Sequence, residues 1–450
     1  MLKGFKRISA VLLAAALILA MTGAPGNMQT VYADTNATGT FKVLSYNVGG
    51  LPAIISSSSP AEYTIQISPL LNDYDIINVQ EDFAYNSELT RYLNLPYATD
   101  FTGNVPFGDG MMTFSRFPIY METRVGWDET HGVFTEGSDQ LTPKGFSYTA
   151  IEIADGYFVD VYNLHTDADC DEGSLAARRS NMNQIAAYIN SRSAGRAVIV
   201  MGDTNSRYTR EGDNFETAVL EACGLTDCWI DLVMDGEVPE DGDALMVHEL
   251  GQYGEVVDKI WYRSGKNVEL DATYFELLMT QFTDSEGNQL SDHYPITATF
   301  SYTLLPRYLT TDTYGGGGGT GFSFLDSMTE TLPESVTIST GSRLDRVGFC
   351  YDGTTVFAGG NGGSTQTLTF APGEYITSVT VSKAKKSWFG TYRISYISVT
   401  TNFGNTISGG SYQSNASMTF AAPEGYCVAG FIGAAADEID RLGCVYQLIE

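Results

Sequence analysis

Six short runs in the first two thirds of this 450-residue chain end in side chains able to bind a metal ion or a phosphate. The central one is MGDTNSR, Met201 to Arg207, which follows the β-rich run Ala197-Val198-Ile199-Val200. Asp203 and Asn205 should therefore emerge at the carboxyl end of a buried strand, where α/β proteins usually build their sites. Asn47 follows Val43-Leu44-Ser45-Tyr46, Glu81 follows Ile76 to Gln80, and His165 follows Val159 to Leu164. Asp258 lies within Val256 to Ile260, and Asp292-His293 precede Tyr294-Pro295-Ile296. Each run alone reads equally as a turn, because Asp, Asn, Gly and Ser are ordinary turn residues. Gathered in one place, the set supports hydrolysis at phosphorus. Hard divalent cations take oxygen ligands, and an imidazole exchanges protons near neutral pH.

Gathering them requires strands that all end on one side. Short β-rich runs alternate with helical ones through this part, and Gly110 to Arg116 and Tyr148 to Ile153 supply two further strands. Leu175 to Asn190 predicts a helix whose Ala176, Met182, Ile185, Ala186 and Ile189 form the apolar face, capped by Asp171 or Ser174. Pattern alone reaches an α/β or α+β class.

The ordered series SYNVGG, NVQE, YNLHTDA, GDTNS, VDKIW and SDHYPI, from about Phe41 to Phe300, resembles the endonuclease/exonuclease/phosphatase superfamily, the deoxyribonuclease I-like metal hydrolases. The resemblance implies a four-layer α/β/β/α sandwich and an Mg²⁺-dependent site, with Mn²⁺ or Ca²⁺ as alternatives. Glu81 would be the central metal ligand, with Asn47 and Asp292 nearby. His293 would be the general base, oriented by Asp258. His165 would donate to a phosphate oxygen or the leaving group, with Asp109 of GDGMMTFSR fixing its ring, and Asp203 and Asn205 would position water and phosphate. Pro143-Lys144-Gly145-Phe146-Ser147-Tyr148 resembles the Lys-Gly-aromatic stretch of bacterial sphingomyelinases.

Charge narrows the substrate. The whole chain carries 25 Lys and Arg against 54 Asp and Glu, a formal −29. Between Asp34 and Leu305 the balance is 14 against 42, or −28. A high-affinity site for duplex DNA needs a basic footprint, so this segment disfavours that partner.

Lys3, Lys6 and Arg7 before the apolar run Ile8 to Ala20, with Val31-Tyr32-Ala33 as a cleavage site, read as a secretory signal over residues 1–33. The catalytic part is expected over 38–302, a linker over 303–313 and a second domain over 314–450. Of six cysteines, Cys223 and Cys228 could close a small loop, but three in each part do not make a complete disulfide framework.

From Gly315 the composition shifts to Gly, Ser, Thr and β-branched residues in alternating runs, an all-β reading. GGGGGTGFSFLDS, ISTGSRLDRVGFCY, GGNGGST, GEYITSVTV, TTNFGN and GFIGAAADEIDRLG resemble a jacalin-like lectin domain, a β-prism. The resemblance implies sugar binding by the glycine loop, Gly318 and Gly319, and by Asp440, although Ala436 stands where the family has glycine. A second reading makes this part a membrane-surface module using Lys383, Lys385, Lys386 and Trp388. The combined expectation is a secreted phosphodiesterase acting on a phospholipid head group and targeted by a lectin-like domain. A secreted nuclease, or a glycan-binding protein with an inactive hydrolase fold, are the alternatives.

Overall fold

A computed structural model describes residues 36–52, 60–132, 142–387 and 390–449, and in it the alternating runs become two facing six-stranded sheets. The first sheet runs, in spatial order, Val268–Leu277, Ile296–Leu304, Thr38–Asn47, Ile76–Gln80, Met112–Ser115 and Tyr97–Ala98. The second runs Ile119–Gly126, Gly145–Ala154, Tyr157–His165, Ala197–Asp203, Asp258–Arg263 and Thr226–Asp227. The segment read as a secretory signal, and Trp388, lie outside the described residues.

Period-2 alternation explains the layering. Val43 joins the core between the sheets, whereas Leu44 and Tyr46 join the cluster outside the first sheet, with Ile67 and Leu71. Ile199 and Met201 point inward, whereas Val198 and Val200 meet Met182, Ile185 and Ile189 outside the second sheet. Both faces of each sheet are covered, which is why these strands read as nearly continuous apolar runs. The helix on the second sheet is Glu172–Arg192, longer at both ends than its apolar periodicity indicated. Asp171 caps it by accepting from the amides of Gly173 and Ser174.

Near the site the space between the sheets is polar. Asn163 Nδ2 donates to the Val79 carbonyl at 2.9 Å, Gln80 Nε2 to Asn163 Oδ1 at 2.7 Å, and Asn78 Nδ2 to the Tyr162 carbonyl at 2.9 Å. Buried amides cost free energy unless paired, so these bonds favour one register of sheet on sheet.

The second half is all β, with a nine-stranded and a four-stranded sheet. The two halves of the larger sheet join through one pair, Ile376 with Val428, so three strand groups enclose the core as in a prism. The segment 303–313, read from the sequence as a linker, is tied into the fold. Tyr308–Thr310 forms a strand on Ile439–Leu448, and Tyr308 and Leu309 are buried. A flexible connector would leave that apolar pair in water. All six cysteines are free thiols, so Cys223 and Cys228 close no loop. No helix among the described residues is long and apolar enough to cross a membrane.

Candidate active site

Strand register brings the acidic and imidazole groups together. Tyr157–His165 runs parallel to Ala197–Asp203 with His165 opposite Asp203, and Asp258–Arg263 runs antiparallel on the other side with Asp258 opposite Asp203. The three side chains therefore lie in a row across the second sheet. On the first sheet Asn47 pairs with Gln80, which puts Glu81 just beyond the strand end. Glu81 and Asn205 both adopt left-handed backbone angles, φ 58° and 47°. Such strain at a site is held by the surrounding structure.

Asn47 bridges the sheets. Its Nδ2 lies 3.1 Å from Glu81 Oε1 and 3.1 Å from Asp203 Oδ2, while its Oδ1 accepts from the Gly49 amide. His293 Nδ1 sits 2.8 Å from Asp258 Oδ2, and Nε2 faces Asp203 Oδ2 at 3.6 Å and Asn47 Nδ2 at 3.5 Å. The turn carrying His293 is tied down by Ser291, whose hydroxyl donates to the Asn47 carbonyl at 2.7 Å and lies 3.2 Å from Asp292 Oδ1. Asn205 donates its amide to Asp203 Oδ1 at 3.0 Å and its side chain to the Thr166 carbonyl at 3.3 Å.

Charge follows this geometry. Burial works against protonation of His293, but Asp258 and Asp203 outweigh it and hold the imidazole well above its ordinary range. Burial raises Asp258 while His293 opposes it. With 2.8 Å between them and a second carboxylate on Nε2, the pair is an imidazolium and a carboxylate. Burial opposes charge at Asp203 too, yet His293, His165 and Lys144 bring it down to about 2. Glu81 is raised by burial, with Lys144, Asn47 and His293 opposing.

Asp109 is a correction. It does not orient His165: its carboxylate grips Arg124 Nη1 at 2.7 and 2.8 Å and accepts from Thr102 Oγ1 and the Met111 amide. The nearest carboxylate to His165 is its register neighbour Asp203, at 3.5 Å from Nε2, and His165 Nδ1 is buried with no hydrogen-bond partner. Burial and Lys144 lower His165 to about 3, so the ring is neutral. The remaining candidates, Asn47, Glu81, Asp203, Asn205, Asp258, Asp292 and His293, converge.

Two residues without a sequence-derived role join them. Lys144 is only 8% exposed, donates to the Thr166 carbonyl at 3.3 Å, and acts on Glu81, Asp203 and His165 together. His248, around which the sequence shows no motif, lines a cleft of about 270 Å³ with Arg207, Asp292 and His293. It sits on the four-residue helix Val247–Leu250, too short to show periodicity.

The donor set fits a hard cation. Glu81 and Asp203 place carboxylate oxygens 3.1 Å from either side of Asn47 Nδ2, and burial outweighs Lys144 and His293 at Glu81, so a hard cation there would meet oxygen donors. In the second half, a Cβ placed on Gly318 would lie 2.7 Å from Asp440 Oδ1, and one on Gly319 2.6 Å from Oδ2. Only glycines let that loop approach the carboxylate. Lys383 stacks over Tyr314 and Tyr392 at 4.4 and 5.2 Å, and Lys386 pairs with Glu438 at 3.2 Å, so these lysines are engaged within the domain.

A sandwich of two sheets with acids, amides and imidazoles at one end is the architecture of a phosphoesterase family. The model of the endonuclease/exonuclease/phosphatase family matches residues 44–293, and the chain belongs to that family; the jacalin-like lectin domain matches residues 311–445. A protein named sphingomyelinase from Mycobacterium tuberculosis is 38% identical over 277 residues, covering 59% of this chain and 53% of that protein. The chain thus spans about half the length of that relative. Sphingomyelinase C from Streptomyces griseocarneus is 18% identical, with TM-score 0.42, over 58% of this chain and 99% of that one. A Malaysian banana lectin is 26% identical, with TM-score 0.28, over 32% of this chain and 99% of that one.

Proposed function

We propose that the chain is an exported, divalent-metal-dependent phosphodiesterase that hydrolyses the head-group ester of a phospholipid, sphingomyelin being the first substrate to test. The observation that carries the chemistry is the Asp258–His293–Asp203 row facing Glu81 through Asn47. Glu81, Asn47 and Asp292 would hold the cation, Mg²⁺ being favoured by the oxygen donors. Once bound, it supplies positive charge to the phosphoryl oxygens and, by its field, favours the neutral His293 that can accept a proton. Asp258 keeps that ring in place, so that Nε2 meets the attacking water. Asp203 and Asn205 position the water and a phosphate oxygen. Lys144 adds a cation for the phosphate, and the neutral His165 supports Asp203 rather than acting as a strong acid.

The lipid reading is supported by the M. tuberculosis relative and by the acidic surface, which disfavours duplex DNA. The lectin-like part would raise the local concentration of enzyme on glycan-bearing surfaces. The test is a panel of sphingomyelin, plasmid DNA, inositol phosphates and a generic phosphodiester, with Mg²⁺ or EDTA, alongside His293→Ala and Glu81→Ala. Phosphocholine release that needs Mg²⁺ and both residues is the expected result. Plasmid nicking lost in the same variants would replace the lipid reading with a nuclease. Glycan binding without turnover of any ester would leave only the lectin.

A further inference from the structure

The loop from Phe101 to Gly108 places its aromatic side chains in water beside the site. Phe107 is 84% exposed, more than any other large apolar side chain among the described residues, and Phe101 is 42% exposed. The segment FTGNVPFG has no charged residue, in a part of the chain with a balance of −28. Its shape is fixed. The Phe107 and Gly108 amides both donate to the Asn104 carbonyl at 3.0 Å. Thr102 and Asp109 close the base by exchanging hydrogen bonds at 2.8 and 3.0 Å. Arg124 then clamps Asp109, so the exposed ring belongs to a braced loop.

That base adjoins the chemistry. Gly110 follows Asp109, its carbonyl accepts the Asp82 amide at 2.9 Å, and its α-carbon packs beside Glu81. Pro106 also lines an open groove of about 480 Å³ with Trp127 and Lys144, the cation that acts on Glu81, His165 and Asp203. The groove runs from the loop to Lys144.

We propose that this loop is the surface by which the enzyme touches a lipid bilayer, with Phe107 and Phe101 entering the interface so that a head group can reach the groove and the site. The proposal rests on the phospholipid reading above. A neutral aromatic loop is where so acidic a protein meets a bilayer at least electrostatic cost, and aromatic side chains suit the interface. It follows that zwitterionic vesicles are preferred to strongly anionic ones.

The test uses the full chain with His293→Ala, which leaves vesicles intact, in Mg²⁺ with phosphatidylcholine/sphingomyelin vesicles. In a flotation assay Phe107→Ser should weaken binding about tenfold or more, the scale of withdrawing one aromatic side chain from an apolar phase. Phe107→Trp should retain binding, and Phe403→Ser, which removes an exposed ring from the lectin-like part, should leave it unchanged. Unchanged binding by Phe107→Ser, or no binding by the parent, overturns the loop assignment. With His293 restored, Phe107→Ser should lose hydrolysis of vesicle lipid but keep that of a soluble phosphodiester. If the parent cleaves the soluble ester but no lipid, the substrate reading fails, while flotation still decides the loop.

Discussion

His293 is flanked by carboxylates on both ring nitrogens, Asp258 on Nδ1 and Asp203 on Nε2, and the two are not equivalent. Asp258 makes the short bond at 2.8 Å, so it sets both the direction of the ring and its affinity for a proton. Asp258→Asn keeps the shape but removes the charge. The His293 titration in metal-free protein, followed by NMR, should then fall towards its ordinary value, and phosphodiester turnover should drop by about 10- to 100-fold or more. A titration that does not move would show that Asp203 alone holds the proton. His165 makes the opposite case. Burial and Lys144 lower it to about 3, so the folded state binds its proton less readily than the unfolded chain does. The stability this neutral ring contributes is complete above its unfolded value of about 6.5 and is lost as pH falls towards 3. Asp203, held at about 2, loses its contribution only below about 4, so above that pH the His165 window stands clear of it. Urea denaturation between about pH 7 and pH 4 should show the stability of His165→Gln gaining on that of the parent as pH falls, on top of a shared change from Asp82, whose buried carboxyl is pushed up to about 7. An equal slope in both proteins would mean that His165 contributes none of the change.

The elements that carry these residues were legible to different depths. Strand ends were readable because side chains alternate and apolar runs stop at polar residues, as at Val200 before Asp203 and Gln80 before Glu81. Convergence was not readable from the runs, because it depends on the register that sets His165 and Asp258 on either side of Asp203. Asp109 was misassigned for the same reason. Its partner Arg124 is fifteen positions away on a strand of the other sheet, and no local pattern marks that pairing. Nor does composition distinguish a tether from an edge strand at 303–313, where Tyr308 and Leu309 are the only signal. Gly110 tests how the first sheet positions Glu81. It has φ +68°, and an added Cβ would lie 2.6 Å from the Phe83 ring and 3.1 Å from the Glu81 α-carbon. Gly110→Ala therefore combines left-handed strain with a clash, at about 1–3 kcal/mol. A lower melting temperature together with weaker Mg²⁺ affinity by calorimetric titration is expected. A melting temperature that falls without any change in affinity would uncouple Gly110 from Glu81.

Across the whole molecule the described residues of the two halves form a single compact unit. Arg192, at the end of the helix on the second sheet, donates to the Gly433 carbonyl at 2.8 Å and stacks 4.8 Å from the Tyr148 ring. Arg196 holds Asp160 with two bonds of 2.7 Å and reaches Thr310, while Lys266 donates to the Asp326 and Met328 carbonyls at 2.6 and 2.8 Å. Leu309, Phe324, Leu325 and Met328 belong to the same apolar cluster as Val159, Ile199 and Phe300. A lectin-like domain fixed in this way would present the hydrolase in one orientation to a glycan-bearing surface, whereas a tether would give only local concentration. Leu309 is the most direct probe, because it is fully buried on the strand that connects the halves. Leu309→Ala removes apolar contacts at about 2–5 kcal/mol. If the halves are cooperative, calorimetry of the parent shows one transition, and the substitution moves all of it downward or splits it in two. Two transitions in the parent, with only the lectin-like one shifted in the variant, would show domains that fold independently, and the fixed orientation would have to be abandoned.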